Sequence, residues 1–394
     1  MHTLTATYRI VTPLFLGDAD RKATAIRPPS VKGALRFWWR ALNWGRIRDQ
    51  CDNDAEALRR LHSEEAELFG AAAEENNPHG QARFLLHAKY TPDTVKQEFA
   101  WDRFSGIQYL LGQGLWHFRE KLLRSCITPG SLEVKLRLKV ISDEQKQQLQ
   151  NTLLALGLFG GIGSRARRGL GSLAIQNIEN ETTGSVWIPH NADELKTCRE
   201  TLALRLSCNI PPISAFSARS RLDISLQNDD PFQILNAIGE EFQLYRSWGK
   251  SNHQGIYKVG NRQAEQNFPE DHHAMRLAAH GSKPSALPRR SVFGYPHNYF
   301  FSSDKANVDI APAGEGRGRR ASPLFIHIHR FPDGTNAALQ LLLPATFLPL
   351  YDRVALKSKS GKTFQLDAPL VEWQCIHNYL NRFKQRETII HATG

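Results

Sequence analysis

Apolar and polar positions alternate through residues 3–16, TLTATYRIVTPLFL, a period of two that predicts an opening strand. Pro28 and Pro29 bar an earlier helix start, and Ser30 is placed to cap a helix beginning at Val31. On that helix Val31, Leu35, Trp38 and Leu42 form a core-facing stripe, with Lys32, Arg36, Trp39 and Asn43 on the neighbouring face. Past a polar stretch near residues 74–80, ARFLLHAKY and SLEVKLRLKV read as strands by alternation and β-branched content. Ser142 and Gln145 make an S-x-x-Q capping box for a helix through DEQKQQLQNTLLALGLF, and GSLAIQNI leaves the loop behind it as a strand. Strand, helix, two strands, helix, strand is the order of a ferredoxin-like α+β domain, ending near Thr183.

The second half, residues 184–394, reads as α+β again. ETLALRLSCNIPPIS predicts a strand, and Asp230 with Pro231 caps a helix over FQILNAIGEEFQLYRSWG. Residues 249–290 are rich in Gly, Asn, His and basic side chains, too polar for core, with one short helix at EDHHAMRLAA. SPLFIHIHRF and NAALQLLLPATFL flank Pro332-Asp333-Gly334-Thr335 as a hairpin, KSKSGKTFQL makes another turn, and PLVEWQCIHNYLNRFKQR predicts a closing amphipathic helix.

A length of 394 residues with 41% hydrophobic content predicts a folded protein of two domains, 1–183 and 184–394, with separate cores. Charge sharpens this picture. A net +11 with pI near 9.5 favours polyanionic partners, nucleic acid ahead of an anionic membrane. No apolar run reaches transmembrane length and the N-terminus lacks the pattern of a signal peptide, so a cytoplasmic protein without a membrane partner is expected. The five cysteines include no CxxC pair, which excludes a disulfide framework and a zinc knuckle.

Other chemistry is thinly represented. GxxxxGK[ST] does not occur, so no nucleotide-hydrolysing loop is expected. His327 and His329 fall on one side of a strand, and His272 and His273 stand beside Glu270 and Asp271, but no third ligand follows by spacing. Neither a metal nor a cofactor is expected. No catalytic set can be assembled from local sequence.

The dense feature is GGIGSRARRGLGS, residues 160–172, with no acid. It follows a helix and precedes a strand, the reverse of a nucleotide-binding loop. Glycines allow close approach to main-chain N–H groups and arginines add bidentate phosphate contacts, so Gly161, Gly163, Ser164, Arg165, Arg167 and Arg168 are candidates for RNA contact. The plainer reading is a mobile surface turn. Lys32, Arg36 and Arg40 on the first helix lie among Phe37, Trp38, Trp39 and Trp44, and Trp39 is the candidate for stacking a base, with a core role as its alternative. A third basic cluster, GEGRGRRASPLF, adds Arg317, Arg319 and Arg320. The first helix and the glycine-arginine loop are expected to converge on one cleft.

TPLFLGDADRKATAIRPPSVKGALRFWWRAL and FGGIGSRARRGLGSL resemble the repeat-associated mysterious proteins, RAMPs, of CRISPR systems. Within them the chain is most similar to the first subunit of the type III-B Cmr effector complex, and FPEDHHAMR, SVFGYP and RRASPLFIHIHR resemble further segments of it. The resemblance implies tandem ferredoxin-like, RRM-like folds with a glycine-rich loop. It implies a cytoplasmic ribonucleoprotein of antiviral defence in which a guide CRISPR RNA recognises target RNA, with other RAMP subunits as neighbours. There this subunit sits toward the 3′ end of the guide and has no catalytic residue. Lys32, Arg36, Arg40 and residues 160–171 are the positions the resemblance reaches. Related subunits cleave RNA with an aspartate between the first strand and first helix, so an endoribonuclease using Asp20 or Asp18 is one alternative. A basic scaffold without direct RNA contact is another.

Overall fold

Three strands alternate cleanly enough to place the first sheet, and a fourth, buried on both faces at its start, completes it. β1 (Thr3–Ile10) turns Leu4, Ala6, Tyr8 and Ile10 to one face, all buried. The helices that follow it are α1 (Pro28–Arg48) and α2 (Asp54–Phe69), and then come β2 (Phe84–Pro92), α3 (Ser105–Leu111), β3 (Gly130–Leu138), α4 (Asp143–Phe159) and β4 (Leu173–Asn180). The sheet runs β2-β3-β1-β4, with the short strand Gly184–Ser185 on its far edge, and its ladders are antiparallel. This is the expected ferredoxin-like order. The computed structural model describes residues 2–17, 22–23, 25–72, 80–94, 99–249, 251–252, 255–314, 318–349, 352–368 and 371–392.

Capping explains two helix starts and corrects a third. Ser142 and Gln145 form the reciprocal box at α4. α1 begins at Pro28 rather than Val31, because proline's fixed φ and missing N–H suit the first helical turn. α2, charged along DAEALRRLHSEEAELF and not foreseen from hydrophobic periodicity, is capped by Asn53 and buries a face of Ala57, Leu61, Ala66, Leu68 and Phe69.

The second half repeats the plan with insertions. β5 (Arg221–Asn228) and α5 (Pro231–Arg246), the latter capped by Asp230, lead to α6 (Pro269–Ala279), β6 (His297–Phe301) and β7 (Ala306–Pro312). β8 (Leu324–Arg330) and β9 (Asn336–Leu342) form the expected hairpin; β10 (Arg353–Ser358), β11 (Thr363–Asp367), α7 (Gln374–Leu380) and β12 (Glu387–Ile390) follow. The sheet β8-β9-β5-β12 has the same strand order as the first, so the fold is two ferredoxin-like units in tandem. The inserted strands make a separate sheet, β6-β7-β10-β11, beneath α6.

Three expectations are corrected in this half. ETLALRLSCNIPPIS opens on the end of the short helix Cys198–Thr201 and forms no strand; its Leu202 and Leu204 are buried against the first unit, and its prolines preclude a continuous ladder. Segment 249–290 supplies core after all, because Phe268, Met275, Ala278 and Ala279 are buried. The closing helix stops at Leu380, and Glu387–Ile390 goes on to pair with β5 as an edge strand.

The units do not have separate cores. One continuous apolar cluster joins the inner face of the first sheet, α1 and α4 to Leu222, Ile224, Phe325, Leu339 and Leu341 of the second sheet. The other face of the second sheet packs on α5 and α7. The layers are sheet, helices, sheet, helices, which is why residues 152–159 of α4 and nearly all of β8 and β9 are buried: each is covered on both sides.

Candidate nucleic-acid interface

The glycine-arginine loop lies where the two units join, and its first neighbours are the chain's own main chain. Ser164 donates its N–H to Phe15 O at 2.7 Å, Gly171 to Pro13 O at 2.9 Å, and Ile326 of β8 donates to Arg167 O at 3.0 Å. Gly163 at φ +89° leaves a Cβ only 2.6 Å from Phe15 O, and Gly171 at φ +64° would press one onto Ile162 O. The glycines of this loop therefore admit its own backbone. The expectation that Gly161, Gly163 and Ser164 leave room for a ligand is corrected to this extent: Gly161 bridges Ser172, and the Ser164 N–H is already used.

The arginines are held by carbonyls instead of carboxylates. Arg165, exposed and itself at φ +66°, donates Nε to Leu111 O and Nη2 to Gln113 O, both at 2.9 Å, and Arg168 reaches Leu110 O at 3.4 Å. These acceptors lie at the C-terminus of α3, the negative end of its dipole. Arg167 donates to Ser322 O and stacks over Phe325 and Phe37, at 4.4 and 5.1 Å to the ring centroids.

Around them gathers more positive charge from distant sequence. Burial pushes Arg167 and Arg168 down to about 10, helped by Arg320 for the first and by Arg246 and Arg165 for the second. Burial lowers Arg165 too, and Arg319 and Arg124 add to it. His297 is held well below its ordinary value by burial and then by Arg246, Arg290 and Arg168. Guanidinium groups keep their proton at neutral pH even so. Among the described residues no carboxylate lies within ion-pair distance of Arg124, Arg165, Arg167, Arg168, Arg246, Arg319 or Arg320. Arg246 Nε and Arg320 Nε are buried without any hydrogen-bond partner. Charge held in this way without a counter-charge is costly.

The structure thus brings the loop arginines together with Arg319 and Arg320, and separates them from the basic stripe of α1. Arg36 and Arg40 both pair with Glu65 of α2, the latter at 2.8 Å, and Lys32 lies over Phe84 at 5.9 Å. The α1 residues that do meet the loop are apolar, Phe37 beneath Arg167 and Trp38 against Gly160. The single cleft shared by Lys32, Arg36, Arg40 and the loop is not formed. Trp39 is corrected as well: it is 0% exposed, packs edge-on against Phe69 and donates Nε1 to Gln148 at 3.0 Å, so it has no free face for a base.

Sequence reasoning missed Arg246, Arg290, Arg124 and His297. Arg246 ends α5, where a cation is expected as a dipole partner and draws no notice. It also missed a small hairpin, Trp116–His117 with Lys121–Leu122, that leaves α3 beside Arg124. At its tip Phe118 is 68% exposed, next to His117 and with the Arg119 guanidinium 5.1 Å from its ring. The interleaving in WHFREKLLR was the available signal. The open face of the first sheet offers nothing comparable, since β1 and β3 present Thr5, Thr7, Arg9, Glu133 and Lys135 there, with no aromatic for an RRM-style stack.

His327 and His329 are buried and occupied with each other: His327 Nδ1 meets Gly160 O at 2.8 Å and its Nε2 meets His329 Nδ1 at 3.2 Å. No group of three metal-ligating side chains occurs among the described residues. Asp18, Asp20 and Arg317 lie outside the described residues. No helix among the described residues is long and apolar enough to cross a membrane.

Residues 7–174 match the RAMP superfamily. Over 183 residues the chain is 26% identical to the CRISPR system Cmr subunit Cmr1-2 of Pyrococcus furiosus, covering 42% of this chain and 91% of that one. It is also 26% identical over 192 residues to Cmr1-1 of the same organism, covering 46% of this chain and 50% of the relative. The crystal structure of Cmr1 from Pyrococcus furiosus, in its apo form, superposes on the whole chain with a TM-score of 0.53 and 16% identity, and all of that chain is covered. A chain of the cryo-EM structure of the type III-B Cmr-beta bound to cognate target RNA matches with a TM-score of 0.50 and 11% identity over 97% of this chain and 99% of that one. Both structures share the fold.

Proposed function

We propose that this chain, whose residues 7–174 match the RAMP superfamily, is a non-catalytic RNA-binding subunit of a type III-B CRISPR (Cmr) ribonucleoprotein. Its partners are guide CRISPR RNA, target RNA and other RAMP subunits, with contact near the 3′ end of the guide. In this reading residues 1–183 and 184–394 are its two RAMP units. The observation that carries it is the cluster of Arg165, Arg167, Arg168, Arg246, Arg319 and Arg320, which has no carboxylate partner among the described residues. A guided complex takes its specificity from base pairing, so a subunit that grips sugar-phosphate without reading bases is what such a complex needs. Arg165, Arg319 and Arg124 form the outer contact, and Phe118 supplies a stacking platform beside it. Arg36 and Arg40 act mainly as the anchor of α1 to α2 through Glu65, and Lys32 rests on Phe84 of β2.

Ultraviolet crosslinking of single-stranded RNA to the full chain, mapped by mass spectrometry, tests the assignment. Crosslinks are expected in residues 116–124, 165–168 and 319–320. Crosslinks confined to α1 or to the open face of the first sheet would refute the site, and absence of RNA binding would leave the scaffold reading. Guide-paired RNA is expected to survive incubation with the chain. Cleavage that disappears in Asp20→Ala or Asp18→Ala would replace a binding subunit by a RAMP endoribonuclease.

A further inference from the structure

A cavity of about 940 Å³ opens on the side of the second unit where α6 faces the edge strand β11. One wall is the α6 face of Glu270, Ala274 and Leu277, which recur at helical spacing, and Leu366, Asp367 and Val371 form the other. The floor is Val292, Tyr295 and Phe347, all buried. Leu277, 41% exposed, is one of the few large apolar side chains that the protein leaves in water, and it lines this space.

The charge of the lining is opposite to that of the molecule. Glu270, Asp271, Asp367 and Glu372 face the cavity against Arg289, four acids to one arginine, so it carries about three negative charges on a chain of net +11. Arg289 is already committed to Glu372, at 2.8 Å, and Asp271 accepts the backbone N–H groups of Arg289 and Arg290. Glu270 has no ion-pair partner among the described residues, and Asp367 meets only Arg353 at 3.5 Å. At the bottom the hydroxyls of Ser291 and Tyr295 are buried and face each other.

An acidic rim repels a phosphate chain, and the apolar walls ask for a bulky side chain. We infer that this cavity is a docking groove for a short segment of another protein, one that sets a large apolar side chain beside a lysine or arginine. The apolar group fills the space between Leu277 and Leu366, and the cation meets Glu270 and Asp367. The inference does not rest on the RNA reading. The groove and the arginine cluster are nevertheless neighbours, since Asp271 holds the turn whose Arg290 faces Arg246 and His297. A protein neighbour and RNA can occupy the second unit together.

The test is affinity selection of random short peptides on the immobilised full chain, after subtraction on a Leu277→Glu variant whose melting temperature is checked first. Sequences that pair Lys or Arg with Leu, Ile or Phe are expected to remain. The synthetic winner should lose about tenfold in affinity in Glu270→Lys/Asp367→Lys, a change of about 1.4 kcal/mol, and leave single-stranded RNA binding unchanged. The proposal is overturned if no peptide survives subtraction, if the survivors are acidic, or if the charge-reversed variant binds the winner as well as the parent does. RNA binding lost through the arginines while peptide binding persists would bear on the other reading alone.

Discussion

Trp39 and Phe118 are both aromatic side chains flanked by basic ones, and burial separates them. Trp39→Ala opens a cavity between α1, α2 and α4, and we expect a loss of about 3–5 kcal/mol in denaturant unfolding, with the RNA affinity of the folded protein unchanged. For Phe118→Ala the outcome reverses: thermal stability holds, and RNA affinity falls by about 1–3 kcal/mol, read by fluorescence anisotropy. The sequence pointed to aromatics among arginines, which is the correct chemistry, but it could not choose the residue. That Trp39 is shut off from water is decided by α2, whose covering of α1 is a tertiary fact. Likewise Arg36 and Arg40 acquire their role from Glu65, which lies 29 and 25 residues away. Arg165 was legible because its loop has no acid at all.

At the scale of elements, the junction between the glycine-arginine loop and β8 welds the two units. His327 of β8 reaches Gly160 O across 167 residues of sequence, and burial lowers its pKa to about 3 in spite of that bond; His329 is lowered by burial and then by His327. The unfolded chain binds a proton on each below about pH 6.5, whereas the folded chain does not. Stability therefore falls as pH drops through 6.5 and levels off for His327 only near pH 3, with a slope of at most about 1.4 kcal/mol per pH unit for each such histidine. Urea unfolding across this window is expected to show a shallower dependence in His327→Gln than in the parent; an equal slope would remove His327 from the weld. Alternation in LFIHIHR revealed the strand and set both histidines on one face. It could not reveal that this face is turned inward, because a metal site and a buried pair have the same spacing.

The whole molecule unfolds as one body in this account. α4 lies between two sheets, and Trp38 and Phe37 rest on Phe325 of the second unit, so residues 1–183 alone would expose the apolar side of the layer that joins them. A single calorimetric transition with equal calorimetric and van't Hoff enthalpies is expected for the full chain, and two resolved transitions would contradict the shared core. The run of apolar residues through LLALGLF, unlike the one-sided stripe of α1, was the trace of this sandwich in the sequence. Strand order in the second unit was less legible because two inserts separate its strands.

The central claim is that unneutralised arginines from both units grip one stretch of sugar-phosphate. The salt dependence of single-stranded RNA binding measures it most directly, in the parent and in Arg124→Ala/Arg319→Ala, exposed residues with no carboxylate partner among the described residues. If each touches a phosphate, the log-log slope flattens by about 0.7 per arginine removed while the melting temperature stays in place. An unaltered slope in a folded double variant would contradict the account.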